Sequence, residues 1–324
     1  MGAVTRAPGI GEVRAAADRI HGFVRRTPLL AAAPTREFHE AARGLSLKLE
    51  ALQVTGSFKP RGAVNALLTL PAARLRHGIV TASGGNHGLA VAYAGWVAGV
   101  PATIFLPRSV APEKLAKFSR WGAQVVVSGE VWDDSNRAAL ERAEAEASVY
   151  IHPFADPAVI AGQGTIALEI LTDAPELDTL LVAIGGGGLI SGVAIAAKAI
   201  KPDIRVIGVE PVGAPTLHQS LAASRVIELT SLDTAAVTLA PRRSEPLNFA
   251  IIRDAVERIV LVDDVEMRAA ARWLWDEIGV AAELSGAAAV AALLAGHYRP
   301  AAEERVCAIV CGAGTDGMSR TGTC

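Results

Sequence analysis

Lys59 stands in Ser57-Phe58-Lys59-Pro60-Arg61, directly before a proline. Proline is a favoured first residue of a helix, so the ammonium of Lys59 lies at the positive end of a helix dipole. Most lysines are solvated surface charges. Here Gly56, Ser57 and Phe58 are small or apolar, and a lysine in such a setting loses its proton more readily and can form a Schiff base with an aldehyde. A second candidate is the run Gly185, Gly186, Gly187 and Gly188, between the apolar segment LLVAI and the segment LISGVAIAAKAI. The pattern reads as strand, glycine loop, helix, an arrangement that brings backbone N–H groups and a helix N-terminus to an anion. No Walker lysine follows, and Ser191 stands where G-x-G-x-x-G needs its third glycine. Glu210 ends the next expected strand, roughly where a dinucleotide fold holds a ribose, so a nicotinamide-dependent dehydrogenase stays open as a rival reading.

Ser83, Gly84, Gly85, Asn86, His87 and Gly88 follow another strand pattern and open a helix pattern. Free N–H donors at that point suit a carboxylate, and a plain capping role for Asn86 is the alternative. Cys307 and Cys311 face one side of a strand, with no Cys-x-x-Cys or histidine cluster to complete a zinc site. Cys307 reads as core, whereas Cys311 ends its strand where open parallel sheets bind ligands. His77, His152 and His218 have no meaningful partner spacing and receive no role. HExxH and GxSxG signatures are absent.

Short β-branched runs alternate with helical patterns, the signature of βαβ units and an α/β fold. GIVTAS (78–83), ATIFL (102–106), QVVV (124–127) and VYI (149–151) read as strands, with helices near 87–98, 112–120 and 134–147. LLVAI (180–184), RVIGVE (205–210), RIVLV (258–262) and VCAIV (306–310) form a second set. Residues 211–250 are rich in Pro, Ser and Thr, which predicts loops and short helices there. Leu180 to Ala197 is uncharged and near membrane-span length, but four consecutive glycines would break a spanning helix.

The 324 residues are 51% apolar and 20% charged, enough for two packed domains. With 31 Lys and Arg against 33 Asp and Glu, no basic field exists to hold nucleic acid or an anionic membrane. A small, near-neutral partner is expected. Three cysteines, Cys307, Cys311 and Cys324, cluster at the C-terminus, unlike a disulfide framework. The N-terminal segment shows no targeting signal. A reducing, cytoplasmic setting is the expectation.

Taken in order, these segments resemble the pyridoxal-phosphate enzymes of the threonine dehydratase and serine racemase family, which have the tryptophan synthase β-like fold. KLEALQVTGSFKPRGA (48–63) resembles the family's Schiff-base lysine segment, ASGGNHGLAVAYA (82–94) its asparagine loop, and HPFADPAVIAGQGTIALEI (152–170) its interdomain segment. GGGGLISG (185–192) is similar to its phosphate loop, GVEP (208–211) to its following strand, ELSGAAAVAAL (283–293) to a late helix, and CGAG (311–314) to the segment at the pyridine nitrogen. The resemblance implies two open parallel-sheet domains with pyridoxal 5′-phosphate in the cleft between them: a large domain of 1–74 and 150–324, and a small one of 75–149 inserted in it. It implies that Lys59 holds the cofactor covalently and is the catalytic residue, that Phe58 packs near the ring, and that Asn86 bonds the phenolic oxygen. Gly185, Gly186, Gly187, Gly188 and Leu189 would cradle the phosphate, and Cys311 would face the ring nitrogen. Ser83, Gly84, Asn86 and His87 would bind the substrate carboxylate. The implied reaction is dehydrative deamination of a small L-β-hydroxy amino acid, threonine or serine, to a 2-oxo acid and ammonia, by a homodimer.

Departures from the family pattern narrow this reading. Racemases of the family resemble SSGNHG, with the second serine acting as an acid on the far ring face; Gly84 takes that place here and has no proton to give. In the family's divalent-cation segment Glu210 and Ala214 match, but Thr216 replaces an aspartate, which leaves a metal doubtful. Val237, Thr238 and Gly314 also depart from the pattern near the expected pocket, so β-elimination or β-replacement on another amino acid stays open beside serine racemisation. Since the sequence stops soon after CGAGTD, isoleucine feedback through a regulatory domain is not expected.

Overall fold

The structure, a computed structural model, describes residues 6–38, 43–108, 110 and 112–316. Cys324 and the first five residues of the N-terminal segment lie outside the described residues. In chain order the strands are β1 (Leu29–Ala31), β2 (Leu45–Lys48), β3 (Ile79–Ala82), β4 (Ala102–Leu106), β5 (Gln124–Val127), β6 (Val149–Tyr150), β7 (Thr179–Ala183), β8 (Arg205–Pro211), β9 (Arg258–Val262) and β10 (Val306–Ile309). Among the described residues they form a six-stranded sheet of order β1-β2-β10-β7-β8-β9 and a four-stranded sheet of order β5-β4-β3-β6. ATIFL, QVVV and RIVLV are strands over the expected residues. β7 lies between β10 and β8 and is buried along its whole length, which explains an apolar run without alternation.

Among the described residues, every pairing between these strands is parallel except β1 with β2. These two strands were not expected from the sequence. With three and four residues and mixed burial, they carry too few positions for a period, and an antiparallel edge strand on a parallel sheet is common. Between 211 and 250 the chain makes the short helix Thr216–Ala222, a 3₁₀ turn at Val237–Leu239 and the start of helix Pro246–Ala255. No helix of the described residues is long and apolar enough to cross a membrane.

Helix Pro157–Asp173 positions the site. Asp156 caps it by accepting from the amides of Ala158 and Val159, and Pro157 supplies its first residue. On one side it meets helix Lys59–Leu68, where a Cβ at Gly162 would lie 2.3 Å from the Arg61 carbonyl oxygen. On the other it meets helix Gly188–Ile200, where a Cβ at Gly192 would lie 2.3 Å from the Ile160 carbonyl oxygen. Glycine at these contacts lets the helix carrying Lys59 and the helix following the glycine loop approach one central helix backbone to backbone.

Arg61 locks this arrangement electrostatically. Its guanidinium donates from Nε and Nη2 to both oxygens of Glu50, at 2.8 and 2.7 Å, and from Nη1 and Nη2 to Glu169, at 2.7 and 2.9 Å. Lys48 Nζ donates to Glu169 and to the Thr27 carbonyl. Arg61, Lys48 and Glu50 are buried, and the two cations balance the two carboxylates. Burial opposes the charge of Arg61, but Glu50 and then Glu169 more than offset it and raise its pKa. For Glu169 burial likewise opposes ionisation, and Arg61 and Lys48 overcome it, holding the carboxyl below its ordinary range. Such clusters are costly to break because the remaining charges cannot reach water. Arg61→Met is therefore expected to lower unfolding free energy by about 3–5 kcal/mol, read from urea denaturation; an unmoved midpoint would show the cluster to be dispensable.

Candidate active site

Lys59 opens its helix half-buried, and its Nζ donates to the Pro153 carbonyl oxygen at 2.8 Å and lies 5.1 Å from the centre of the Phe58 ring. Burial pushes its pKa down to about 8, against a weaker upward pull from Glu283. Ser57 and Phe58 reach this place by pairing with the end of the six-stranded sheet: Ser57 forms a bridge with Gly312, and the Phe58 amide donates to the Cys311 carbonyl at 3.2 Å.

The residue after Pro153 links the lysine to the glycine loop. A Cβ at Gly186 would lie 2.3 Å from the Phe154 ring, and one at Gly188 would lie 2.7 Å from the Phe154 carbonyl. Gly187 has φ +94° and caps helix Gly188–Ile200, a conformation L side chains rarely adopt. The amides of Gly188, Leu189 and Ile190 precede the first intrahelical bond, Ser191 N to Gly187 O, so they are donors available at a helix N-terminus. His152, to which the sequence assigned no role, shapes this turn: its Nδ1 accepts from the amides of Phe154 and Ala155 at 3.2 and 2.9 Å. Burial, and then Lys59, lower its pKa to about 4.

Across from the lysine, β3 ends at Ala82 and the chain turns through Ser83, Gly84 and Gly85 into helix Asn86–Ala98. The Gly85 amide donates to Ser83 Oγ at 3.3 Å, and the first intrahelical bond runs from the Leu89 amide to Gly85. His87 is buried with Nε2 at 3.0 Å from the Ile151 carbonyl. Its side chain is thus committed away from the loop, and its contribution to an anion is its amide. Burial, followed by Lys59, lowers its pKa to about 3, so the ring is neutral near pH 7. Asn86 Nδ2 donates to Glu283 Oε1 at 2.7 Å, Ser285 Oγ donates to the same oxygen at 2.6 Å, and Thr238 Oγ1 donates to Ser285 Oγ at 2.6 Å. Cys311 is buried; its thiol donates to the Ser285 carbonyl at 3.4 Å. Burial, together with Glu283, raises its pKa, and the thiol is neutral.

The structure therefore brings Phe58, Lys59, Cys311, the 185–189 loop, Ser83, Gly84 and Asn86 to the carboxyl ends of the two sheets. Glu283, Ser285, Pro153 and Phe154 join them without having been assigned roles from sequence; their segments ELSG and HPF were visible, but nothing in them named a partner. Glu210 and Ala214 lie elsewhere. The two carboxylate oxygens of Glu210 accept from the amides of Leu217 and His218, each at 2.8 Å, at the start of helix Thr216–Ala222, and burial raises its pKa to about 8. Buried and engaged in this way, it does not present itself to a ribose. Among the described residues no group of three or more His, Cys, Asp or Glu side chains could hold a metal ion.

A phosphorylated pyridine aldehyde fits these residues. Lys59 is a half-buried amine of lowered pKa, the backbone of the glycine loop packs too closely on Phe154 and Thr238 to carry side chains, and three amides at the following helix start precede its first intrahelical bond. Ser57 Oγ and Asn248 Oδ1, in the segments flanking the lysine and Gly187, are buried without a hydrogen-bond partner, as expected where a polar group completes the wall.

A family model described as "Pyridoxal-phosphate dependent enzyme" matches residues 20–312. An L-threonine ammonia-lyase of Geobacter sulfurreducens is 38% identical over 92% of this chain and 73% of its own length. A serine racemase of Arabidopsis thaliana is 39% identical over 90% of this chain and 88% of its own. The solved structure of maize serine racemase superposes with a TM-score of 0.89 at 36% identity, over 95% of this chain and 94% of that one.

The lowered pKa of Lys59 makes a direct prediction for the cofactor-free protein. Reductive alkylation of Lys59 by a small aldehyde should accelerate about tenfold per pH unit up to pH 8 and level off above it, because only the free amine reacts. Exposed lysines should keep accelerating to about pH 10.4. Peptide mass spectrometry reads both, and a Lys59 profile that tracks the exposed lysines would contradict the desolvation described above.

Proposed function

The chain belongs to the pyridoxal-phosphate-dependent enzymes, and on that footing we propose that it is an ammonia-lyase that converts L-threonine or L-serine to the 2-oxo acid and ammonia. The observation that carries the reading is the meeting of Lys59 with the glycine loop through Pro153 and Phe154. When bound, pyridoxal phosphate supplies a conjugated ring that accepts the electron pair left at Cα. Lys59 Nζ removes the Cα proton, a task suited to an amine whose pKa is already near 8. Ser83 and the amides at the start of helix Asn86–Ala98 hold the substrate carboxylate, with His87 contributing its N–H. Asn86 and Phe58 would orient the ring, residues 185–189 would hold the phosphate, and the neutral thiol of Cys311 would face the ring nitrogen. A thiol does not keep that nitrogen protonated as a carboxylate would, which favours prompt departure of the β-hydroxyl over a long-lived carbanion. Water is lost across Cα–Cβ and regained when the nitrogen leaves as ammonia.

Gly84 favours elimination over racemisation, since no side chain there returns a proton from the opposite face. A Cβ at Gly84 would lie 3.0 Å from a Val110 methyl, which would have to give by a few tenths of an ångström, and at ordinary van der Waals distance, 3.7 Å, from a Leu106 methyl. The division into 75–149 and 1–74 with 150–324 is part of the proposal. It is supported by the four-stranded sheet drawing its strands from 79–150 and the six-stranded sheet from 29–48 and 179–309. The core beneath the smaller sheet also takes Ile20, Ala63, Val64 and Leu67. A homodimer, on the resemblance alone, and a cytoplasmic setting, on the cysteine pattern and the N-terminal segment, complete the reading.

Purified protein loaded with pyridoxal phosphate is expected to release 2-oxobutyrate from L-threonine or pyruvate from L-serine, and Lys59→Ala to abolish both together with the absorbance of the lysine-bound cofactor. Loaded protein without release of either would move the chemistry to another amino acid, and normal turnover by Lys59→Ala would remove the reading. In Gly84→Ser, D-serine formed from L-serine should rise several-fold relative to pyruvate, as read by chiral chromatography; an unchanged ratio would contradict the role given to Gly84.

A further inference from the structure

Four separate chain segments meet in one hydrogen-bonded path at this site. Glu283 precedes helix Leu284–Leu294, with its amide donating to the Gly312 carbonyl at 3.1 Å. Its Oε1 accepts from Asn86 and from Ser285, and Ser285 in turn accepts from Thr238. The path lies against bare backbone: a Cβ at Gly312 would stand 2.3 Å from Glu283 Oε1 and 3.3 Å from Asn86 Nδ2. Its outer end returns to the loop where it began, because a Cβ at Gly85 would lie 3.6 Å from the Thr238 methyl. Glu283 Oε1 already accepts from Ser285, and the Asn86 amide turns its nitrogen toward the same oxygen. That fixes the plane of the amide and leaves its second N–H and its oxygen directed by the first bond.

We propose that Glu283 is a positioning residue: its carboxylate sets the orientation of Asn86 and, through Ser285, ties it to Thr238, so the group at the cofactor and the residue beside the substrate loop act as one unit. The proposal rests on the reading that pyridoxal phosphate binds here. It accounts for a carboxylate whose Oε1 accepts from both an asparagine and a serine. It also gives Thr238, a departure from the family pattern, a task that needs its hydroxyl.

A double-mutant cycle on the loaded enzyme tests it, with the absorbance spectrum of the bound cofactor and its pH profile read beside kcat and KM. Glu283→Ala should lower kcat roughly ten- to hundredfold, the loss of one charge-assisted hydrogen bond, with less change in KM, and should shift the absorbance. Glu283→Gln keeps an acceptor for both donors and should recover most of kcat. Combined with Asn86→Ala, the Glu283→Ala change should add less than about twofold to the loss, since Glu283 acts through Asn86. Losses that multiply in the double variant, or an absorbance and pH profile left as in the parent, would overturn the proposal. If Glu283→Ala does not fold, Thr238→Val and Ser285→Ala break the same path further out, and the same absorbance shift is required of them. Parent protein that shows the absorbance of bound cofactor but turns over neither threonine nor serine would count against the proposed reaction and leave the spectral cycle decisive for Glu283.

Discussion

A buried cation cannot be left without anions, and Arg61 binds three separate parts of the chain because of it. Its guanidinium reaches Glu50 just after β2, Glu169 and Thr165 on helix Pro157–Asp173, and the Arg25 carbonyl near the N-terminus. Arg61 is two residues from Lys59, so the same contacts fix where the reactive amine points. The planar fork of arginine serves both carboxylates at once, which a lysine's single ammonium could not do. Position and stability are thereby supplied by one cluster.

Around the lysine, burial acts in the opposite sense. Its cost discourages charge on every group it encloses, lowering the pKa of Lys59, His87 and His152 and raising that of Cys311. The result is a wall of neutral donors and acceptors, His87 on Ile151, His152 on the Phe154 turn and Cys311 on Ser285. A neutral wall leaves the local charge to Lys59, to Glu283 and to the helix start after the glycine loop. That distribution suits a ligand with an anionic group at one end and an electrophilic carbon at the other.

Much of this was legible along the chain. Lys59 before Pro60, the four glycines between an apolar strand and a helix, and Asn86 at a helix start are local features, and local sequence fixes helix starts and turns through capping and backbone freedom. The strands at 102–106, 124–127 and 258–262 were equally visible, since apolar runs of that length have few alternatives. β1 and β2 were not, being too short to show a period, and β2 joins the sheet through β10 from the far end of the chain. Glu210 shows the converse failure: its spacing after a glycine loop suggested a ligand, and the fold spends it on capping a helix.

The sequence by itself therefore determined which chemical groups exist and which local elements carry them: an amine at a helix start, a glycine loop before a helix, an asparagine at the start of another helix and a thiol at a strand end. Tertiary structure alone decided which of them meet. Asn86 and Glu283 are 197 residues apart, and Lys59 and Pro153 are 94 apart. No propensity or period reports such contacts, because they depend on how helices pack against one another and against the sheets. Gly162 and Gly192 allow that packing to close, and the buried charges of Arg61, Glu50 and Glu169 hold it once closed.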